Sequence, residues 1–223
     1  MDYQYLAFDL ETSKVQSPHL RDWMLHGPLG ISCAATYCIG AKEPVLWYGG
    51  KRRKCPASQM TVTEAGALVK YLCHQVTAGY RIVTWNGIGF DFDVLAQESG
   101  MHAQCKSLAL DHVDMMFHVL CQLGFGVSLN AAARGMRLTR SCEKRTGALI
   151  PTRWADGRYE EVLRHVARDV RTTLALATTC SERGFVRGRA GGDGLGINGP
   201  RPHRRPAVGK LPHRAGCPGG AGG

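Results

Sequence analysis

Apolar residues along the chain come first in short runs and later in stretches with helical spacing. "YQYLAFDLE", "GISCAATYCIG" and "PVLWYGG" have the length of strands, and glycines bound the second and end the third. Each predicts a β-strand. In "TVTEAGALVKYLCHQVTAG" the apolar positions Ala67, Leu68, Tyr71, Leu72 and Val76 recur at helical intervals. That stretch opens with Thr61 and Glu64 in the T-x-x-E arrangement of a capping box. "RIVTWN" predicts a fourth strand, and "DFDVLAQESG" a helix closed by Gly100. "DMMFHVLCQLG" and "SLNAAARGM" predict two short helices. "YEEVLRHVARDVRTTLALATTCSERG" is the longest helical pattern, with Gly184 as its stop. A meander of three strands, a helix, a strand and then helices predicts an α/β sheet.

The acidic residues gain meaning once placed on these elements. Residues two apart on a strand face the same way, so Asp9 and Glu11 project together from the end of the first strand. Asp91 follows a turn containing Gly87 and Gly89. Asp93 competes with it, but lies roughly 200° away around a helix. His165 and Asp169 are four apart on the last helix and share a face. Taken singly, each piece has an ordinary reading: solvated edge carboxylates, a helix-capping charge, a surface i,i+4 pair worth a few tenths of a kcal/mol. Taken together, four carboxylates in one pocket are untenable unless cations lie among them. Hard oxygen donors select Mg²⁺ or Mn²⁺ over zinc. Two such ions roughly 3.5–4 Å apart form a clamp for in-line phosphoryl displacement, and a neighbouring histidine can serve as general base.

"FDLET", "NGIGFD" and "HVARD" resemble motifs I, II and III of the DEDD 3′–5′ exonuclease superfamily, which has a ribonuclease H-like fold. The resemblance runs from about Tyr3 to Glu182. "DHVDMMFHVL", "VSLNAAARGM" and "GRYEEVLRHVARDVRTTLALA" are similar to uncharacterised prokaryotic exonucleases related to the proofreading domains of family-B DNA polymerases. The resemblance implies a mixed sheet flanked by helices over residues 1–186. It implies metal ligands at Asp9, Glu11, Asp91 and Asp169, holding two divalent cations. His165 stands where the DEDDh branch has its histidine, although many polymerase-like relatives have tyrosine there. The implied activity is metal-dependent 3′–5′ hydrolysis of single-stranded DNA or RNA ends. The resemblance also sets Thr12 and Asn86 near the terminal nucleotide; their alternatives are a turn hydroxyl and a turn-forming Asn.

Charge adds a partner. The net charge is +10 over 223 residues, which points to a polyanion. Residues 187–223 hold 12 Gly and 5 Pro, the composition of a disordered tail. That tail carries seven of the 28 Lys and Arg and one of the 18 Asp and Glu, which leaves a body of net +4. Its texture fits a polyanion-binding arm or the product of a shifted reading frame. In the body, basic groups occur at Lys51–Lys54 ("KRRK"), at Arg134–Arg145 and as the stripe Arg164, Arg168, Arg171, which borders the carboxylates. Arg168 is the candidate phosphate contact. Trp85 and Phe90 flank the second motif, and a core role outweighs base stacking for both.

The nine cysteines are odd in number and form no C-x-x-C pair, so reduced thiols are expected. No leader and no run of 18 apolar residues occur, and a cytoplasmic protein without membrane contact is expected. P-loop, G-x-S-x-G and zinc spacings are missing from the sequence. The alternative to an enzyme is an inactive ribonuclease H-like module that only binds nucleic acid.

Overall fold

The computed structural model describes residues 4–15, 27–50, 55–138 and 149–183, and the backbone of 185–188 and 195–198. The first three apolar runs form β1 (Tyr5–Thr12), β2 (Ile31–Cys38) and β3 (Val45–Tyr48), which pair antiparallel in succession. The chain then makes α1 (Val62–Thr77) and returns as β4 (Arg81–Thr84), parallel to β1 on its free edge. A five-residue π-turn (Gly87–Asp91) leads into α2 (Phe92–Ser99) and α3 (His102–Asp111). β5 (Val113–Asp114) adds parallel to β4, giving a mixed sheet of order β3-β2-β1-β4-β5. The helices α4 (Met115–Leu123), α5 (Leu129–Gly135), α6 (Ile150–Ala155) and α7 (Tyr159–Arg183) follow.

The predicted elements form where the pattern placed them. Thr61 and Glu64 make the reciprocal capping box of α1, and Gly100 ends α2 in the left-handed conformation at φ 70°. The hydrophobic pattern does not reveal β5, because two residues are too few to show a period of two. Nor does it reveal α3, whose buried positions are only Cys105 and Leu108.

β1 is paired on both edges, and apolar clusters cover both of its faces. Leu6, Phe8 and Leu10 pack with Leu68, Val69 and Leu72 of α1 and Val94 and Leu95 of α2. Tyr5 and Ala7 face the other way, towards Val162, Leu163, Val166 and Val170 of α7. Burying each side chain of the size of Leu or Phe stabilises the fold by about 1.5–3 kcal/mol before entropy is counted. Asp9 and Glu11 continue the α7 face of β1, so the helix docked by those valines brings its own polar positions to them.

β6 (Phe185–Gly188) and β7 (Leu195–Asn198) pair antiparallel as a ribbon beside α5. They use residues 187–188 and 195–198 of the Gly- and Pro-rich tail; its remainder lies outside the described residues, as does Lys51–Lys54. The described cysteines form no disulfide. No described helix is long and apolar enough to cross a membrane.

The residues past Gly188 have the Gly- and Pro-rich composition of a segment that builds no core. A chain ended after Gly188, which gives up the β6–β7 pairing, is expected to keep the parent's urea midpoint and slope. A shallower slope would show that the removed residues bury surface in the fold.

Candidate active site

Three elements meet at the site: the end of β1, the π-turn and α7. Asp9 and Glu11 lie on the α7 face of β1, either side of the buried Leu10. The backbone N–H of Leu10 donates to Asp91 Oδ1 at 3.0 Å, so the π-turn's last residue is fixed against the strand between the other two acids. From α7, His165 Nε2 stands 3.2 Å from Glu11 Oε1 and 3.4 Å from Asp169 Oδ2. The structure thus brings together Asp9, Glu11, Asp91, His165 and Asp169. It also separates Asp91, which is buried, from Asp93, which is exposed on α2.

The π-turn has a local cause. Gly87 N–H donates to Thr84 Oγ1 at 3.1 Å. A Cβ on Gly87 would lie 2.4 Å from that oxygen, and one on Gly89 would lie 2.7 Å from Asn86 Oδ1. A side chain at Gly87 would also press on Thr84 Cβ and open the turn, whereas one at Gly89 would displace the end of the Asn86 side chain. Asn86 itself is left-handed at φ 77°, a conformation that Asn tolerates better than most residues.

Gathering the carboxylates has an electrostatic cost. Burial, then Asp91, Glu11 and Asp169, push the Asp9 carboxyl well above the usual carboxylate range. Burial is also the main cause that pushes Asp91 up to about 8; Asp114 and Glu11 add to it, while the Leu10 N–H opposes it. Among the described residues no group of three or more Asp, Glu, His or Cys side chains is arranged to hold a metal ion. Asp91 gives one oxygen to Leu10, and His165 lies against two of the acids. The donor set is nonetheless of oxygen type, and its buried like charges are what a hard divalent cation would relieve.

Thr12 is buried just past the register shift that follows Glu11. Asn86 flanks the turn, and Arg168 is exposed on α7 beside Asp169. The other arginines of the stripe are engaged elsewhere: Arg171 pairs with Glu43 and lies 5.1 Å from the centre of the Tyr37 ring. Arg164 donates to Glu160 O at 3.0 Å. Trp85 donates to Val127 O at 3.1 Å and Phe90 packs on the core, in keeping with their core reading. Residues 139–145 of the second basic group lie outside the described residues.

Sequence reasoning passed over two features. Asp114 is buried and accepts the backbone N–H groups of Asn86, Ile88 and Phe117, each at 3.0 Å. Its signal was present, since an Asp directly before an apolar helix is a favoured N-cap. A cleft of about 520 Å³ opens two residues past Glu11, lined in part by Ser13, Lys14, Gln59, Glu98, Trp154 and Tyr159. Its walls come from distant segments, which local periodicity cannot bring together.

The family model of the RNase H superfamily matches residues 44–181. That span holds Asp91, His165 and Asp169, and Asp9 and Glu11 precede it. No curated protein matches the chain. Among solved structures it is similar to the family B DNA polymerase of the hyperthermophilic archaeon Pyrobaculum calidifontis, with TM-score 0.55 and 16% identity over 81% of this chain. The chain covers 25% of that polymerase, and a likeness at this identity is one of fold.

A pH dependence follows from the raised acids. A carboxyl that binds its proton more tightly when folded contributes stability below its unfolded value, and loses it as pH rises through the folded value. For Asp91 that window runs from the ordinary 3.8 to about 8. In chelator-treated protein, melting should fall with rising pH across this window, and less steeply in Asp91→Asn. Equal slopes by calorimetry would contradict the burial of this group.

Proposed function

As a member of the RNase H superfamily, the chain has a fold suited to acting on nucleic acid, and we propose that it is a 3′–5′ exonuclease. It hydrolyses phosphodiester bonds at single-stranded DNA or RNA ends and depends on two divalent cations, Mg²⁺ or Mn²⁺. One observation carries this reading: Asp9, Glu11, Asp91 and Asp169 converge with His165 at a single strand end. A merely nucleic-acid-binding module gains nothing from burying acids that repel one another and repel its ligand.

Asp9, Glu11, Asp91 and Asp169 would hold the cations, which supply, when bound, a positive clamp on the attacking and leaving oxygens. The protein's own groups do the rest. His165, at the mouth of the carboxylate set, takes the proton of the attacking water on Nε2. Thr12 and Asn86 border the terminal nucleotide, and Arg168 meets a phosphate from the exposed face of α7. The cleft beside Ser13 and Lys14, about 520 Å³, is in the volume range of small-molecule sites, about 300–1,000 Å³, but none of the site acids lines it.

A 5′-labelled oligonucleotide incubated with Mg²⁺ or Mn²⁺ should yield a ladder shortened from the 3′ end, with none after EDTA. A stable shifted band without degradation would support the binding-module reading instead. His165→Ala should lower the single-turnover rate by about 10²–10⁴ at saturating metal, with cation affinity little changed. Asp169→Asn should weaken cation binding itself. His165→Tyr should recover part of the lost rate. An alanine variant within a few-fold of the parent would reduce His165 to a helix-surface partner of Asp169.

A further inference from the structure

Asp114 is a further buried carboxylate, at the junction of β5 and α4 and close enough to Asp91 to act on its charge. It is 5% exposed. A cap for α4 alone does not require a carboxylate: Ser128 caps α5 with one hydroxyl, accepting from Ala131 N–H at 3.3 Å. Asp114 does more. Oδ1 accepts from Phe117 and from Asn86, and Oδ2 accepts from Ile88. The last two belong to the loop that becomes the π-turn ending in Asp91. The parallel pairing of Thr84 with Asp114 sets the two segments side by side.

The surroundings give this charge little other support. His112 Nε2 lies 3.9 Å from Asp114 Oδ2 and is a buried atom with no hydrogen-bond partner. The ring's Nδ1 is 2.6 Å from Ala109 O, where only a protonated nitrogen can donate. Burial favours the neutral form of this histidine, so Nε2 turns a lone pair rather than an N–H towards Asp114. Among the described residues, three backbone amides donate to this carboxylate, and two of them hold the turn.

We infer that Asp114 is a positioning residue for the carboxylate site: by clamping the Asn86 and Ile88 amides it fixes the start of the π-turn and so the seating of Asp91 on the Leu10 N–H. For its consequence on cation binding the inference rests on the exonuclease reading; for the geometry it does not. Asp114 is assigned to the turn rather than to the coordination set, because its two oxygens accept three backbone amides and two of those belong to the turn. Its role is that of the outer groups which orient metal ligands, whose loss usually costs about 10–100-fold in affinity or activity.

Asp114→Asn separates the roles. Its remaining oxygen can still cap α4, while its NH₂ faces the Ile88 N–H and cannot accept it. The amide of Leu10 reports on Asp91 directly, and that of Leu68 in α1 reports on global opening. In metal-free Asp114→Asn, hydrogen exchange at Leu10 should speed up at least tenfold with Leu68 unchanged. Mn²⁺ affinity by calorimetry should fall by about 10–100-fold. If the Asn variant does not fold, Asp114→Ser keeps a cap and is measured in the same way. Leu10 exchange within twofold of the parent overturns the inference, as does equal acceleration at Leu10 and Leu68, which would make Asp114 a fold residue only. A parent protein that binds no Mn²⁺ and shortens no oligonucleotide would count against the exonuclease reading, and the Leu10 comparison would still decide this one.

Discussion

The constraint on which the rest depends is the confinement of like charges at the end of a buried strand. Asp9 and Asp91 lose water on folding and face each other and Glu11 as they do so. In a medium that screens poorly, such a group drifts towards its neutral form unless something positive is brought to it. The fold brings the Leu10 N–H to Asp91 and amides of the π-turn to Asp114, and it sets the His165 ring beside Glu11 and Asp169. None of these is a full compensating charge for Asp9. The nearby cation Arg171 is committed to Glu43 and the Tyr37 face.

A scaffold holding such a site must be rigid on both sides of the strand, and β1 is held accordingly. Leu6, Phe8 and Leu10 are locked into the α1–α2 layer, while Tyr5 and Ala7 take the α7 valines. The direction of Asp9 and Glu11 is then fixed by strand alternation alone. The π-turn for its part requires that Gly87 carry no side chain against Thr84. Packing and electrostatics oppose one another here, and the dense apolar layers keep the acids together.

Much of this was legible in the sequence because it depends on local periodicity. The alternation around Asp9 and Glu11, the i,i+4 spacing of His165 and Asp169, and the Thr61–Glu64 box are all short-range patterns with one geometric meaning. The order of elements pointed to an α/β sheet with a meander at its start, the resemblance supplied its mixed character, and the two-residue β5 was not legible. What stayed hidden depends on tertiary placement. Asp114 reads as a helix cap, and only the β4–β5 pairing shows that it also holds the turn upstream. Arg171 reads as a free cation until Glu43 and Tyr37 are brought beside it. The cleft needs α6, α7 and the segments after β1 and β3 at once, so no window of sequence contains it.

The placement of the acids on β1 and α7 also governs when the site can exist. Asp9 and Glu11 leave the ribosome early, and His165 and Asp169 leave it after α1 to α6 have been made. Contacts so distant in sequence close late, once loop entropy has been overcome by intervening structure. A nascent chain therefore carries its first two acids on a strand still lacking the α7 layer, and no partly made chain has the full carboxylate set. Assembly of the core and assembly of the site become the same event: the docking of α7 onto β1 and β2. Competence to act on nucleic acid would then be gated by completion of the fold.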